Sequence, residues 1–238
     1  MRIRYVKRKH IVRELQNIFP TPVGMPGNVL QTDPVKLKER LIIKPDTSLI
    51  NQSLKYPFPM RWDAVIKMIP EGKKLIGAEI GVLHGETAFR ILKHRAEVTH
   101  IMIDPWEVPK KDSSYALSGD NNSKKPQQSH DTAYHLTRTR VAFAGDRAII
   151  MRMESKEAVL KFENEYFDYI FIDGDHSYTG VIVDIRMWLS KVKKGGWIGG
   201  HDYGNERLPG VKKAVDEMFN KEDIILSHED TWFVMVKK

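Results

Sequence analysis

The sequence predicts a doubly wound, Rossmann-like α/β fold: a mostly parallel, seven-stranded sheet with an antiparallel C-terminal strand, preceded by an N-terminal extension. Three observations predict it. From residue 61 onward, apolar strands alternate with helix-patterned segments, which builds a parallel sheet covered on both faces. The last two strand-like runs, "DIILSHE" and "TWFVMVKK", are joined by a short turn with no helix between them, so one of them runs antiparallel. Several strands end in acidic residues, at the edge where such sheets collect ligands.

Residues 1–60 stand apart as an extension that shapes a substrate pocket or makes an oligomer contact. One helix is expected around Ile11–Ile18 and another around Pro34–Leu41, with Pro20, Pro22, Pro26 and Pro34 interrupting regular structure. Residues 61–238 form the main domain. Trp62–Met68 carries apolar residues at helical spacing. "LIGAEIGV" (75–82) is a strand and Glu86–His94 its helix. "VTHIMID" (98–104) is the second strand. Residues 107–130 are polar, with Pro, Ser, Asn, Gly and Lys, and read as a lid-like loop. Thr132–Val141 is helix, "AIIMRM" (148–153) strand, Lys156–Phe162 helix and "YIFID" (169–173) strand. Thr179–Lys191 is helix, "GWIGG" (196–200) strand and Val211–Phe219 helix.

Composition narrows the functional classes. The 238 residues hold 38 Lys and Arg against 31 Asp and Glu, a net charge of +7, with the basic residues scattered and no nucleic-acid motif beside them. No apolar run reaches the roughly 20 residues a membrane span requires. The basic N-terminus is not followed by a signal-peptide core. Cysteine is absent, so disulfides and thiolate metal sites are excluded and any metal needs oxygen or nitrogen ligands. These features fit a cytoplasmic protein.

The first strand–helix loop, "GAEIGVLHGET", contains Glu79, Gly81, Gly85 and Thr87. It lacks the Gly-Lys-Ser/Thr of a P-loop and the G-x-G-x-x-G of a dinucleotide site. An acid two residues before the first glycine repels a pyrophosphate and attracts a cationic amine. Asp104 ends the next strand, about twenty residues on, where a carboxylate grips ribose hydroxyls. The pair fits an adenosine ligand with a charged amino-acid tail.

"GAEIGVLHGETA", "IDPW", "FDYIFIDGDHSYTGVIVDI" and "GGWIGGHDY…PGVKKAVDEMF" together resemble class I S-adenosylmethionine-dependent methyltransferases. The resemblance covers about residues 60–238 and is strongest to the metal-dependent small-molecule O-methyltransferases, macrocin-type and, more distantly, catechol-type. It implies S-adenosylmethionine as cofactor. Glu79, Gly81, Gly85 and Thr87 would surround its methionine end, Asp104 its ribose and Ser155 its adenine, with Asp173 beside them and Trp106 at the cofactor edge.

Asp173 ends the fourth strand, and His201 and Asp202 follow the fifth. Neighbouring strands lie about 5 Å apart, so these groups can converge. Oxygen-rich convergence suits a hard divalent cation, magnesium first, and the resemblance implies that Asp173, His201 and Asp202 hold it. His201 departs from the oxygen ligand common in relatives, which opens manganese or another divalent ion. Asp175 and His176 are the general-base candidates for deprotonating an acceptor hydroxyl. His84 and His130 are weaker candidates, and Tyr178 and Tyr203 flank the site.

The expected function is methyl transfer to a hydroxyl of a small molecule, a sugar or glycoside among the acceptors. No membrane partner is expected, nucleic acid is disfavoured, and a homo-oligomer is compatible. The competing readings are an RNA or other nucleic-acid methyltransferase and a metal-independent small-molecule methyltransferase. A nicotinamide oxidoreductase lacks its glycine fingerprint. A non-catalytic nucleoside binder has no use for His201 and Asp202.

Overall fold

A computed structural model describes residues 60–237; the helices expected at 11–18 and 34–41, with the extension they belong to, lie outside the described residues. The chain forms α1 Arg61–Met68, β1 Leu75–Ile80, α2 Glu86–His94, β2 Val98–Asp104, α3 Ser114–Leu117, α4 Gln127–Val141 and β3 Ala148–Arg152. It continues with α5 Ser155–Ala158, β4 Phe167–Ile172, α6 Tyr178–Trp188, β5 Val192–Gly200, α7 Pro209–Met218, β6 Ile224–Leu226 and β7 Trp232–Met235. The sheet order is β3-β2-β1-β4-β5-β7-β6. β1 to β5 pair in parallel, and β7 runs antiparallel to both β5 and β6.

β4 sits near the middle because its residues are apolar on both faces. Ile170 and Ile172 pack with Ile185, Trp188 and Val211 on one side, while Tyr169 and Phe171 pack with Val65, Ile91 and Trp197 on the other. A third cluster gathers Leu92, Met102, Trp106, Ala133 and Val141 around α2 and α4. α2 carries Glu86 in its first turn and Lys93 and His94 in its last, each sign matched to the helix dipole. Ser177 caps α6, its hydroxyl accepting the Gly180 N–H. Pro209 opens α7, where its missing N–H costs nothing.

The boundaries differ from expectation where side chains decide them. β1 stops at Ile80, because Gly81 turns away with a φ of +82°. Residues 107–130 are not a plain loop. They contain α3, a 3₁₀ turn at Asn122–Lys124 and the start of α4 at Gln127. His130 is therefore a buried helix residue rather than a loop histidine. β5 begins at Val192, four residues before the expected start, with Gly195 at a φ of +78° and a register shift between Phe167 and Tyr169 of β4. The antiparallel strand β7 is not the edge of the sheet. Trp232 and Phe233 are buried, so β7 takes the inner place and the short, half-exposed β6 the edge. Among the described residues no helix is long and apolar enough to cross a membrane.

Candidate active site

The strand order reverses between β1 and β4, and the carboxyl ends of β1, β2, β4 and β5 meet there. Gly81 needs its glycine twice over: its φ is +82°, and a Cβ would lie 2.3 Å from the Asp173 carbonyl oxygen. Gly85 caps α2 at a φ of +71°, with a Cβ position only 2.8 Å from Thr137 Cγ2. The two glycines let the β1–α2 turn lie flat against β4 and α4.

Asp104 holds this turn in place. Its Oδ2 accepts the N–H groups of Val82 and Leu83, both at 2.9 Å, and its Oδ1 accepts that of Trp106 at 2.7 Å. Trp106 is fully buried, and its indole N–H donates to the Leu83 carbonyl at 2.8 Å. A carboxylate offers about four acceptor sites, so capacity for one more donor remains after these three.

Glu79 is buried at the end of β1. Burial pushes its carboxyl well above the ordinary range, and Asp173 adds to this; Arg61 and a hydrogen bond from Thr87 pull it back. His100 Nε2 lies 3.4 Å from Glu79 Oε2.

Asp173, His201 and Asp202 do converge. One ligand atom from each lies within 4.8 Å of the others. The carboxylates are already paired. Arg61 Nη1 donates to Asp173 Oδ2 at 2.8 Å and lies 3.2 Å from His201 Nδ1. Asp202 sits in the left-handed region at a φ of +63°, with its Oδ2 3.0 Å from His201 Nδ1 and 3.2 Å from His176 Nε2. Burial would raise the Asp202 carboxyl, but His201, Asn205 and His176 hold it below the ordinary range.

The two base candidates separate. Asp175 accepts the Ser177 N–H at 2.8 Å and the Ser114 hydroxyl at 3.0 Å, and Gly180 leaves room for its carboxylate against α6. It serves the turn. His176 lies among three carboxylates: Nδ1 is 2.8 Å from Asp120 Oδ2, and Nε2 is 3.3 Å from Asp173 Oδ1. Burial lowers its pKa, but hydrogen bonds to Asp120 and Asp173 and the charge of Asp202 outweigh this and raise it to about 10.

Other candidates fall outside the cluster. The Ser155 hydroxyl donates to Asp184 and accepts the Trp188 indole N–H at 2.8 Å, which turns it toward α6. Tyr178 and Tyr203 direct their hydroxyls to Glu217 and Asp216 of α7. His84 is exposed in its loop. Sequence reasoning missed Arg61 and Asp120. Arg61 opens α1 and Asp120 lies in a polar turn, and neither carries a spacing that ties it to strand ends more than fifty residues away. The helical pattern read over 62–68 stops one residue short of Arg61 and does not say what the helix faces.

Four likenesses to known proteins bear on the fold and the family. The O-methyltransferase of Bacillus cereus, solved with S-adenosylhomocysteine, is 15% identical, covers 88% of this chain and 94% of its own, and superposes with a TM-score of 0.53. The calicheamicin methyltransferase CalS11 is 12% identical over 90% of this chain and 99% of its own, with a TM-score of 0.55. These likenesses establish the fold. An uncharacterized protein, R132 of Acanthamoeba polyphaga mimivirus, is 27% identical over 153 residues; the match spans 62% of that relative's length and 62% of this chain. The profile described as a methyltransferase domain matches residues 78–203, which takes in the Glu79 loop, Asp104, Asp173 and the His201–Asp202 pair and leaves Arg61 outside. That span is more than half of the sequence, and the chain belongs to this methyltransferase-domain family.

Proposed function

We propose that the chain transfers a methyl group from S-adenosylmethionine to a hydroxyl of a small molecule, a sugar or glycoside being the leading class, with a divalent cation at Asp173, His201 and Asp202. One observation carries the reading: this donor set converges beside the Glu79 and Asp104 turn, at the edge where the strand order reverses. Two carboxylates and an imidazole suit magnesium or manganese. The guanidinium of Arg61 is lodged on Asp173, and a cation bound there would displace it.

When bound, S-adenosylmethionine supplies an electrophilic methyl on a sulfonium and the cation acidifies the acceptor hydroxyl. Glu79 attracts the ammonium of the methionine tail, with Thr87 beside it. Gly81 and Gly85 keep the turn free of side chains, and Asp104 sets its shape and takes a ribose hydroxyl. Asp173, His201 and Asp202 orient the acceptor oxygen for an in-line approach. His176 accepts the proton at Nε2. It does so only once Asp173 and Asp202 are engaged elsewhere, because an imidazolium between them has no free lone pair. The reading therefore couples the cation to the base.

A second reading has one observation in its favour. Arg61, His176 and His201 compensate the carboxylates without any metal, as a metal-independent methyltransferase would require. Methyl-labelled S-adenosylmethionine, incubated with a panel of sugar nucleotides, glycosides, phenols and transfer RNA, separates the readings. Label transfer to a hydroxylated small molecule that stops in EDTA and returns with magnesium is expected. Undiminished transfer in EDTA selects the metal-independent reading, and transfer only to RNA overturns the small-molecule one.

A further inference from the structure

The sheet row beneath the proposed cofactor site contains polar groups that the mechanism above does not use. His100 of β2, Gly77 of β1, Tyr169 of β4 and Trp197 of β5 stand in register on adjacent strands. A side chain at Gly77 is impossible, because a Cβ there would lie 1.9 Å from Tyr169 Cζ. The glycine lets the tyrosine ring lie across β1. Trp197 stacks against that ring, with centroids 4.9 Å apart and planes at 20°. The phenol consequently ends 2.9 Å from His100 Nδ1, and His100 Nε2 lies 3.4 Å from Glu79 Oε2. Glu79 is two residues beyond Gly77 and so on the same sheet face. His100 and Tyr169 are fully buried.

We propose that Tyr169 and His100 are positioning residues for cofactor binding: a hydrogen-bonded chain across β1 that aims the Glu79 carboxylate at the cofactor's ammonium group. The inference rests on the reading of Glu79 as the ammonium ligand. The direction of the chain follows from its ends. Burial raises the Tyr169 phenol, so it stays neutral and can either donate to Nδ1 or accept from it. Burial also lowers His100 to about 3, so the ring is neutral with a single N–H; once the ammonium holds Glu79 ionised, that carboxylate only accepts, which puts the N–H at Nε2 and leaves Nδ1 to accept from the Tyr169 phenol. Thr87 supplies the other donor to Glu79. With two donors fixed, the carboxylate is held in one orientation and retains acceptor sites for a third. A row meant only for packing has no need of a phenol and an imidazole, since buried polar pairs return little net stability over apolar side chains of the same shape.

The test is titration calorimetry on the full chain with two ligands, S-adenosylhomocysteine and 5′-methylthioadenosine. Both carry the nucleoside and only the first carries the amine. Tyr169→Phe and His100→Leu are expected to weaken S-adenosylhomocysteine roughly tenfold and leave methylthioadenosine unchanged. His100→Gln, whose amide N–H replaces the Nε2 donor, recovers most of the loss. Melting curves of Tyr169→Phe, which removes a single oxygen, establish that the fold is intact. Equal weakening of both ligands, or of neither, overturns the chain of hydrogen bonds. Glu79→Gln separates the two layers of the argument. If it weakens S-adenosylhomocysteine while the Tyr169 and His100 variants do not, the positioning role fails alone. If Glu79→Gln has no effect, the ammonium reading fails and takes the positioning role with it.

Discussion

Arg61 and Asp173 form an ion pair of 2.8 Å, with only 13% of the aspartate side chain exposed, at the point where the proposed cation would bind. Arg61 is held there from both directions. Its backbone N–H donates to Glu229, and the Asp63 carboxylate accepts the Met60 N–H to fix the first turn of α1. The proposed metal would therefore compete with the guanidinium for one carboxylate oxygen. Arg61→Ala is expected to tighten manganese binding by roughly three- to tenfold, the worth of releasing one charge-assisted contact, as read by electron paramagnetic resonance. The same variant should melt earlier without metal, because Asp173 loses a partner, and gain more from added manganese than the parent does. Unaltered affinity would show that Arg61 and the cation do not share Asp173.

Asp104 anchors the turn, and the proposed function adds a ribose hydroxyl, so its variant should show both effects. Asp104→Asn keeps one acceptor oxygen where three backbone N–H groups now converge. Cofactor affinity should fall by about 1.5–3 kcal/mol, tenfold or more, and melting should fall as well because the turn 82–83 loses an anchor. Calorimetry and thermal melting on the same preparation decide. Weaker binding with unchanged melting would mean that Asp104 does not hold the turn, and unchanged binding removes it from the cofactor site.

The His176 imidazole sets a pH dependence of known sign. Its pKa rises from 6.5 to about 10 on folding. A group raised in this way contributes its full stability below about 6.5, and the contribution disappears as pH climbs toward 10. Urea unfolding of the metal-free protein should weaken from pH 7 to pH 10 more steeply than that of His176→Ala. Equal slopes would place the imidazole outside the carboxylate cluster.

Residues 107–130 reach the β4–α6 turn at two points, Asp120 on His176 and Ser114 on Asp175. Both partners lie in the β4–α6 turn, so a ligand bound there should order the segment. The expected outcome of limited proteolysis is cleavage within 107–119 that S-adenosylhomocysteine suppresses. Equal cleavage with and without ligand contradicts a lid.

The sheet was legible because its strands are short, apolar and separated by helices of matching period; α2 and β2 have the predicted bounds. Strand-end acids were legible for the same reason, since a carboxylate after "YIFI" has no packing role. Partners were not. Arg61 meets Asp173 across 112 positions and Asp120 meets His176 across 56, and nothing in a local pattern encodes such pairs. The order of β6 and β7 was not legible either, for a related reason. Which strand is inner depends on the burial of Trp232 and Phe233, and that is decided by helices far away in sequence. Asp175 and His176 looked equivalent as neighbours in "DGDH"; a one-residue step along the turn sends one to α6 and the other into the cluster.

The most direct measurement is a crystal of the protein soaked with manganese and S-adenosylhomocysteine, with diffraction recorded at the manganese edge. The account predicts one anomalous peak bounded by Asp173, His201 and Asp202, the Arg61 guanidinium displaced from Asp173, and the ligand's amine on Glu79. No anomalous peak, with Arg61 still on Asp173 and the ligand in place, would contradict the cation site and leave a metal-independent methyltransferase.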